Sequence, residues 1–148
     1  MTELHLTRVF DAPREMVYQA FVDPDQFSQW FGPVGWSVPR DTVSMDVRQG
    51  GRQRFTMVND EDPSMTSPAS GTVTEVVPNE LLVLQEQVET PDGPYTMTLR
   101  LEFHDEGGKT RLVLRQGPYT DVVEGQAREG WTSSFTKLDA LLAARAGS

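Results

Sequence analysis

The chain has no cysteine and only two histidines, His5 and His104, and these two scarcities remove whole classes of chemistry before any pattern is read. Disulfides, thiol nucleophiles and thiolate metal sites all need Cys, and a three-histidine zinc site needs one His more than the chain holds. Basic residues are also few, 13 Lys and Arg against 22 Asp and Glu, for a formal net charge of −9. That sign repels phosphate backbones and anionic lipid headgroups, so neither nucleic acid nor membrane is an expected partner. No run approaches the ~20 consecutive apolar residues of a membrane-spanning helix, and the first residues show no basic stretch followed by an apolar one. No Gly-rich phosphate loop opens a helix, and His-Glu-x-x-His and Gly-x-Ser-x-Gly are both missing. The expectation is a cytoplasmic protein without metal or cofactor, and no residue is assigned a catalytic role.

What is present reads as one domain spanning residues 1–148. The only segment long enough for a helix of several turns is Asp121 to Ala146, where Ala127, Trp131, Phe135, Leu138 and Leu142 recur at intervals of four or three and Leu141 widens the stripe. Gly130 costs such a helix about 1 kcal/mol relative to Ala. With Ser133 and Ser134, it calls either for close backbone packing around Trp131 or for a cavity beside it. Nearly everything earlier alternates with a period of two. Thr2 to Phe10 is a first strand, with Leu4, Leu6 and Arg8 on one face. Pro13 then opens a short helix with Met16, Val17, Ala20 and Phe21 inward, and Asp23-Pro24-Asp25-Gln26 opens a second as a capping box. Phe27, Trp30 and Phe31 lie on that second helix until Gly32-Pro33 stops it.

Hairpin punctuation follows. Val43, Met45 and Val47 alternate before Gly50-Gly51, and Phe55 and Met57 alternate after it, so two strands pair around a glycine turn. Asn59 to Ser70 is polar and holds Pro63 and Pro68, which predicts a mobile loop at the rim. Gly71–Val77 and Leu81–Glu89 are the next strands, and Pro91-Asp92-Gly93-Pro94 is a turn. Tyr95 to Phe103 alternates most cleanly, with Tyr95, Met97, Leu99, Leu101 and Phe103 on one face. The last strand turns Leu112, Leu114 and Gln116 inward and ends at Gly117-Pro118. The fold class expected is α+β, a curved antiparallel sheet of about six or seven strands wrapped around the long C-terminal helix.

Several local motifs, weak singly, occur together in a telling order. They are Arg8-Val9-Phe10-Asp11-Ala12-Pro13 with Glu15 and Val17-Tyr18, then Asp23-Pro24, then Trp30-Phe31-Gly32-Pro33. Further on come Asp46-Val47-Arg48-Gln49-Gly50-Gly51, Gly71 with Glu75-Val76 before Pro78, Gly130-Trp131, and Leu138-Asp139-Ala140-Leu141. In this order the chain resembles the START-like superfamily, also called SRPBCC or Bet v-like. Within it, the chain is most similar to the homologues of the activator of heat shock protein 90 ATPase. That family usually has two Trp before Gly-Pro, and Phe31 stands in place of the second. The resemblance implies a helix-grip fold with a hydrophobic cavity between sheet and helix. It also implies a range of activities, from carrying lipids, hormones or polyketides to cyclising polyketides. The eukaryotic activator works with a second domain, for which 148 residues leave no room, so a chaperone partner is weakly supported.

The candidate lining of such a cavity is Trp30, Phe31, Phe55, Met57, Met97, Leu99, Trp131 and Phe135. Any one of them could equally be core filling. Glu86 is added because a carboxylate on the apolar face formed by Leu82, Leu84 and Val88 is unusual. Its bland explanation is a wetted sheet end or an ion pair with Arg8 or Arg54. Its functional one is a polar handle for a ligand, with the Tyr119 hydroxyl as a second. His5 and His104 fall on outward faces, and Gly50-Gly51 is a hairpin turn rather than an anion site. The leading expectation is non-catalytic binding of a small hydrophobic molecule by a monomer or a homodimer paired through a strand edge. The alternatives are a cyclase- or hydrolase-like enzyme using Glu86 on a polyketide-like substrate, and a co-chaperone-like interaction module.

Overall fold

A computed structural model describes residues 2–88 and 93–146. After β1 (Thr2–Phe10), α1 (Arg14–Val22) begins at Pro13 and α2 (Pro24–Trp30) follows almost without a break. Asp23 serves both helices. Its N–H donates to Gln19 O and closes α1, while its carboxylate accepts from Asp25 N at 3.1 Å and opens α2. Because that N–H is already taken, Gln26 does not complete the expected capping box and donates instead to the Asp23 carboxylate at 2.9 Å.

The sheet is antiparallel throughout, in the order β1-β8-β7-β6-β5-β4-β2, with β3 also paired to β4. Six strands are long: β1, β4 (Arg52–Asn59), β5 (Thr66–Val77), β6 (Leu81–Val88), β7 (Tyr95–Glu106) and β8 (Lys109–Tyr119). The other two, β2 (Trp36–Ser37) and β3 (Ser44–Met45), are two-residue pairings on β4. α3 (Asp121–Ala146) lies across the concave face and has the bounds that its periodicity predicts. Among the described residues no helix is long and apolar enough to cross a membrane. Of the expected strand end and turn after β6, Glu89, Pro91 and Asp92 lie outside the described residues.

Register explains the core. Leu82, Leu101, Leu114 and Leu6 stand opposite one another across four strands, and Leu84, Leu99, Gln116 and Leu4 form the next row. Side chains alternate along a strand, so both rows fall on one face. Phe10, Leu101, Phe103, Leu112, Leu114 and Leu138 are fully buried there. At the turn before β4, a Cβ on Gly51 would sit 1.9 Å from Asp46 O, so no side chain fits. The same turn is laced to β5 by Gly50 N to Val73 O and Val73 N to Gly51 O, at 2.7 and 2.8 Å.

The stretch expected as a rim loop is largely strand. β4 runs to Asn59 and β5 starts at Thr66, so only residues 60–65 connect them, and Pro68 sits opposite Thr56. Proline is accommodated because residues 66–71 pair with β4 alone among the described residues, and the opposite flank has no ladder to interrupt. Among the described residues β5 meets β6 only from Thr72 onward, opposite Gln85. Beyond that point the β4–β5 hairpin projects as an arm, and a gap separates it from the end of β6.

α3 is held at both flanks. Asp139 pairs with Arg8 of β1, whose guanidinium lies 5.0 Å from the Phe10 ring and 5.7 Å from the Phe135 ring. Across the helix, Ser133 Oγ accepts from Val34 N at 2.8 Å and Lys137 Nζ donates to Trp36 O at 3.0 Å.

Candidate functional site

Between the concave face, α2 and α3 lies a cavity of about 520 Å³. Phe27, Phe31 and Pro33 wall it from the α2 side, Phe55 and Met57 from β4, and Leu84, Met97 and Leu99 from the sheet floor. Ala127, Gly130, Trp131 and Ser134 close it from α3, spaced as one face of a helix. Residues 67–71 of β5 form its rim, and Gln116 and Tyr119 stand at the end of β8.

Seven of the nine anticipated site residues line this space: Phe31, Phe55, Met57, Glu86, Met97, Leu99 and Trp131. Trp30 and Phe135 do not. Trp30 is wholly buried and donates its Nε1–H to Ala20 O at 2.8 Å, with its ring edge-on to Phe21. Phe135 packs edge-on against Phe10 at 5.2 Å, one helical turn beyond Trp131 and away from the opening. Phe27 takes the place given to Trp30. It is four residues before Phe31, and the two rings stack at 4.5 Å, a spacing that the sequence displays and that could have identified it. Phe55 meets both, at 5.1 and 4.9 Å, and Trp131 meets Phe31 at 5.5 Å, which makes a continuous aromatic wall.

Gly130 resolves one of the two expectations placed on it. No heavy atom lies within 4 Å of where its Cβ would be, so it is not a site of close packing and leaves open space beside Trp131. Trp131 itself is fixed. Its Nε1–H donates to Gln116 Oε1 at 2.8 Å, and since an indole N–H can only donate, the amide oxygen is its acceptor and the amide NH₂ is left over.

Among the described residues Glu86 is the one carboxylate in the lining, and no Lys, Arg or His lines the cavity. Neither ion pair offered for it forms: Arg8 is engaged with Asp139, and Arg54 alternates with Phe55 onto the outer face of β4. Among the described residues the Glu86 carboxylate has no hydrogen-bond or ionic partner, and burial pushes it above the usual range. The Tyr119 hydroxyl is pushed above its ordinary value as well, by burial first and then by the neighbouring Glu86 carboxylate and Tyr95. A carboxylate and a phenol thus share one end of a largely apolar chamber. A shallower space of about 610 Å³, bounded by Thr42, Arg54 and Thr56 on the outer face, shares Phe55, Glu86 and residues 68–70 with the cavity. Glu86 therefore stands in the gap between β6 and the arm, reachable from both sides.

His5 and His104 lie apart from the cavity, paired with Glu3 and Glu102 at 2.7 and 3.0 Å. Among the described residues no group of three His, Cys, Asp or Glu could hold a metal ion.

Comparison with known proteins places this geometry. The model of a family described as activator of Hsp90 ATPase homolog 1-like protein matches residues 11–143. Among solved structures, a protein from Chromobacterium violaceum superposes with a TM-score of 0.84 at 25% identity, covering 95% of this chain and 96% of that one. An AHSA1 protein from Silicibacter pomeroyi gives 0.83 at 29% identity, covering 97% and 99%. An AHSA1-like protein from Aeromonas hydrophila gives 0.79 at 20% identity over 98% and 94%, a likeness of fold. No curated protein matches the chain.

Proposed function

The chain belongs to the activator of Hsp90 ATPase homolog 1-like family, and from that premise we propose that it binds a small, largely apolar molecule between sheet and α3 without converting it. The observation that carries this is the cavity of about 520 Å³ with its aromatic wall, within the few hundred to ~1,000 Å³ typical of small-molecule sites. A guest burying ~250 Å² of apolar surface would gain about 6 kcal/mol at ~25 cal/mol per Å², before the cost of association. Trp131, held by Gln116, presents a fixed ring to that guest, and preorganisation of this kind lowers the ordering cost.

Holding a molecule is favoured over transforming one. Trp131 fixed by Gln116 and the aromatic wall around it serve the retention of a guest, with Glu86 and Tyr119 as polar groups at one end. A chaperone-docking role would act through the surface and leave the cavity without a use. The test is titration with N-phenyl-1-naphthylamine, a neutral probe that brightens in apolar surroundings. Saturable one-site binding is expected, lost in Trp131→Ala and in a cavity-filling Gly130→Leu variant. A linear, unsaturable signal up to the solubility limit of the probe would overturn the reading.

A further inference from the structure

We propose that the molecule for which this cavity is shaped is a cation, an amine carried on an aromatic or alicyclic body, with its ammonium group paired to Glu86. The inference rests on the binding reading above and specifies the chemistry of the guest.

An unpaired carboxylate in a partly dehydrated site works against folding, and the common remedy is a neighbouring cation. The described residues supply none inside the cavity. Among the described residues no Lys, Arg or His lines the cavity, Arg8 is paired with Asp139, and Arg54, which bounds the outer space that Glu86 also borders, forms no ion pair with it. A bound ammonium would supply the missing counter-charge, whereas a neutral guest would leave the carboxylate unpaired and an anionic one would face it directly. Phe55 borders the same gap as Glu86 and continues into the wall formed by Phe31 and Trp131. Rings so placed attract a cation by their negative faces and receive its apolar body. The Tyr119 hydroxyl beside Glu86 can accept from the ammonium or donate to the carboxylate.

Full dehydration of an ammonium would cancel much of this gain. The gap between β6 and the β4–β5 arm lessens that cost, because Glu86 borders the inner space as well as the outer one bounded by Arg54, and the charged head can stay partly hydrated at Glu86 while the body is buried. The formal charge of −9 acts in the same direction at longer range, drawing cations and repelling carboxylates.

Three probes on one skeleton separate the possibilities: 2-(1-naphthyl)ethylamine, its uncharged isostere 1-propylnaphthalene, and 1-naphthylacetate, each titrated near neutral pH against the unmodified protein and Glu86→Gln. The amine is expected to bind at least tenfold tighter than the hydrocarbon and the acid at least tenfold weaker. Glu86→Gln should abolish the tenfold advantage of the amine over the hydrocarbon. If the hydrocarbon binds and the amine has no advantage, or if its advantage survives in Glu86→Gln, the cationic assignment is overturned and the binding reading stands. If none of the three binds, both are overturned. The comparison within the unmodified protein decides the matter even if the variant folds poorly.

Discussion

Gly130 and Trp131 are neighbours on α3 with opposite effects on the cavity, one leaving room and the other furnishing a wall. Since a Cβ at Gly130 would meet nothing within 4 Å, Gly130→Ala should recover about 1 kcal/mol of helix propensity. That corresponds to a rise of about 2–4 °C in Tm for a chain of this size. Probe affinity should change little, because one methyl removes a small part of the chamber. Gly130→Leu should keep the stability gain and lose the probe. The two tryptophans separate along the same line. Trp30→Phe removes the bond to Ala20 O in a fully buried setting, so thermal unfolding should show a loss of about 1–3 kcal/mol with probe binding intact. Trp131→Phe should do the reverse, because it frees Gln116 and unfixes the wall while Phe135 and Leu138 keep the helix seated. The sequence does not distinguish these residues. Both are large, apolar and on a helical stripe, and which points at the opening depends on about 100° of rotation per residue. The pair Phe27 and Phe31, four apart, carried the missing information.

α3 is the element on which the chamber depends, and its two flanks hold it by different means. On the β1 side, the Arg8–Asp139 pair is partly exposed, with side chains 36% and 45% accessible, so the ion pair itself should contribute little. Arg8 does more by lying over the Phe10 and Phe135 rings. Asp139→Asn should therefore cost less than about 1 kcal/mol in urea unfolding, whereas Arg8→Ala, which also strips the aliphatic stem from the rings, should cost about 1–2 kcal/mol. Equal losses from both would place the energy in the charge pair instead. At this scale most of the fold was legible. The alternation of Tyr95–Phe103, the proline and aspartate punctuation of α1 and α2, and the stripe of α3 each respond to one dominant local force. The β4–β5 arm was not legible. Residues 60–68 are exposed, so no apolar period marks the strand, and Pro68 reads as a breaker until the missing neighbour on that flank is known. That arm forms the rim beside Glu86, so the site's second opening was hidden with it.

For the molecule as a whole, two carboxylates with opposite perturbations shape the response to pH. Hydrogen bonds from Arg100 and His104 hold the Glu102 carboxyl below its usual range. Its contribution to stability is thus present above the unfolded-state value of about 4.3 and is lost as pH falls through the lower folded value. Burial raises the Glu86 carboxyl, so its contribution is complete below that same unfolded value and is lost as pH rises through the higher folded one. As pH rises through that folded value, the ligand-free protein takes on Glu86 as a destabilising charge. Glu86→Gln should melt higher than the unmodified protein near pH 7, and the two should coincide in acid below the ordinary carboxylate range. Glu102→Gln should show the opposite pattern, a deficit near pH 7 that vanishes in acid. A guest that binds only the folded state raises Tm in proportion to its occupancy. A saturating amine should accordingly stabilise the unmodified protein near pH 7 well beyond the rise produced by removing the charge, and should add little to Glu86→Gln. Scanning calorimetry of both proteins, with and without amine at the two pH values, checks the whole set. Equal amine-induced shifts in the two proteins would mean that the fold carries this carboxylate for a reason other than its guest.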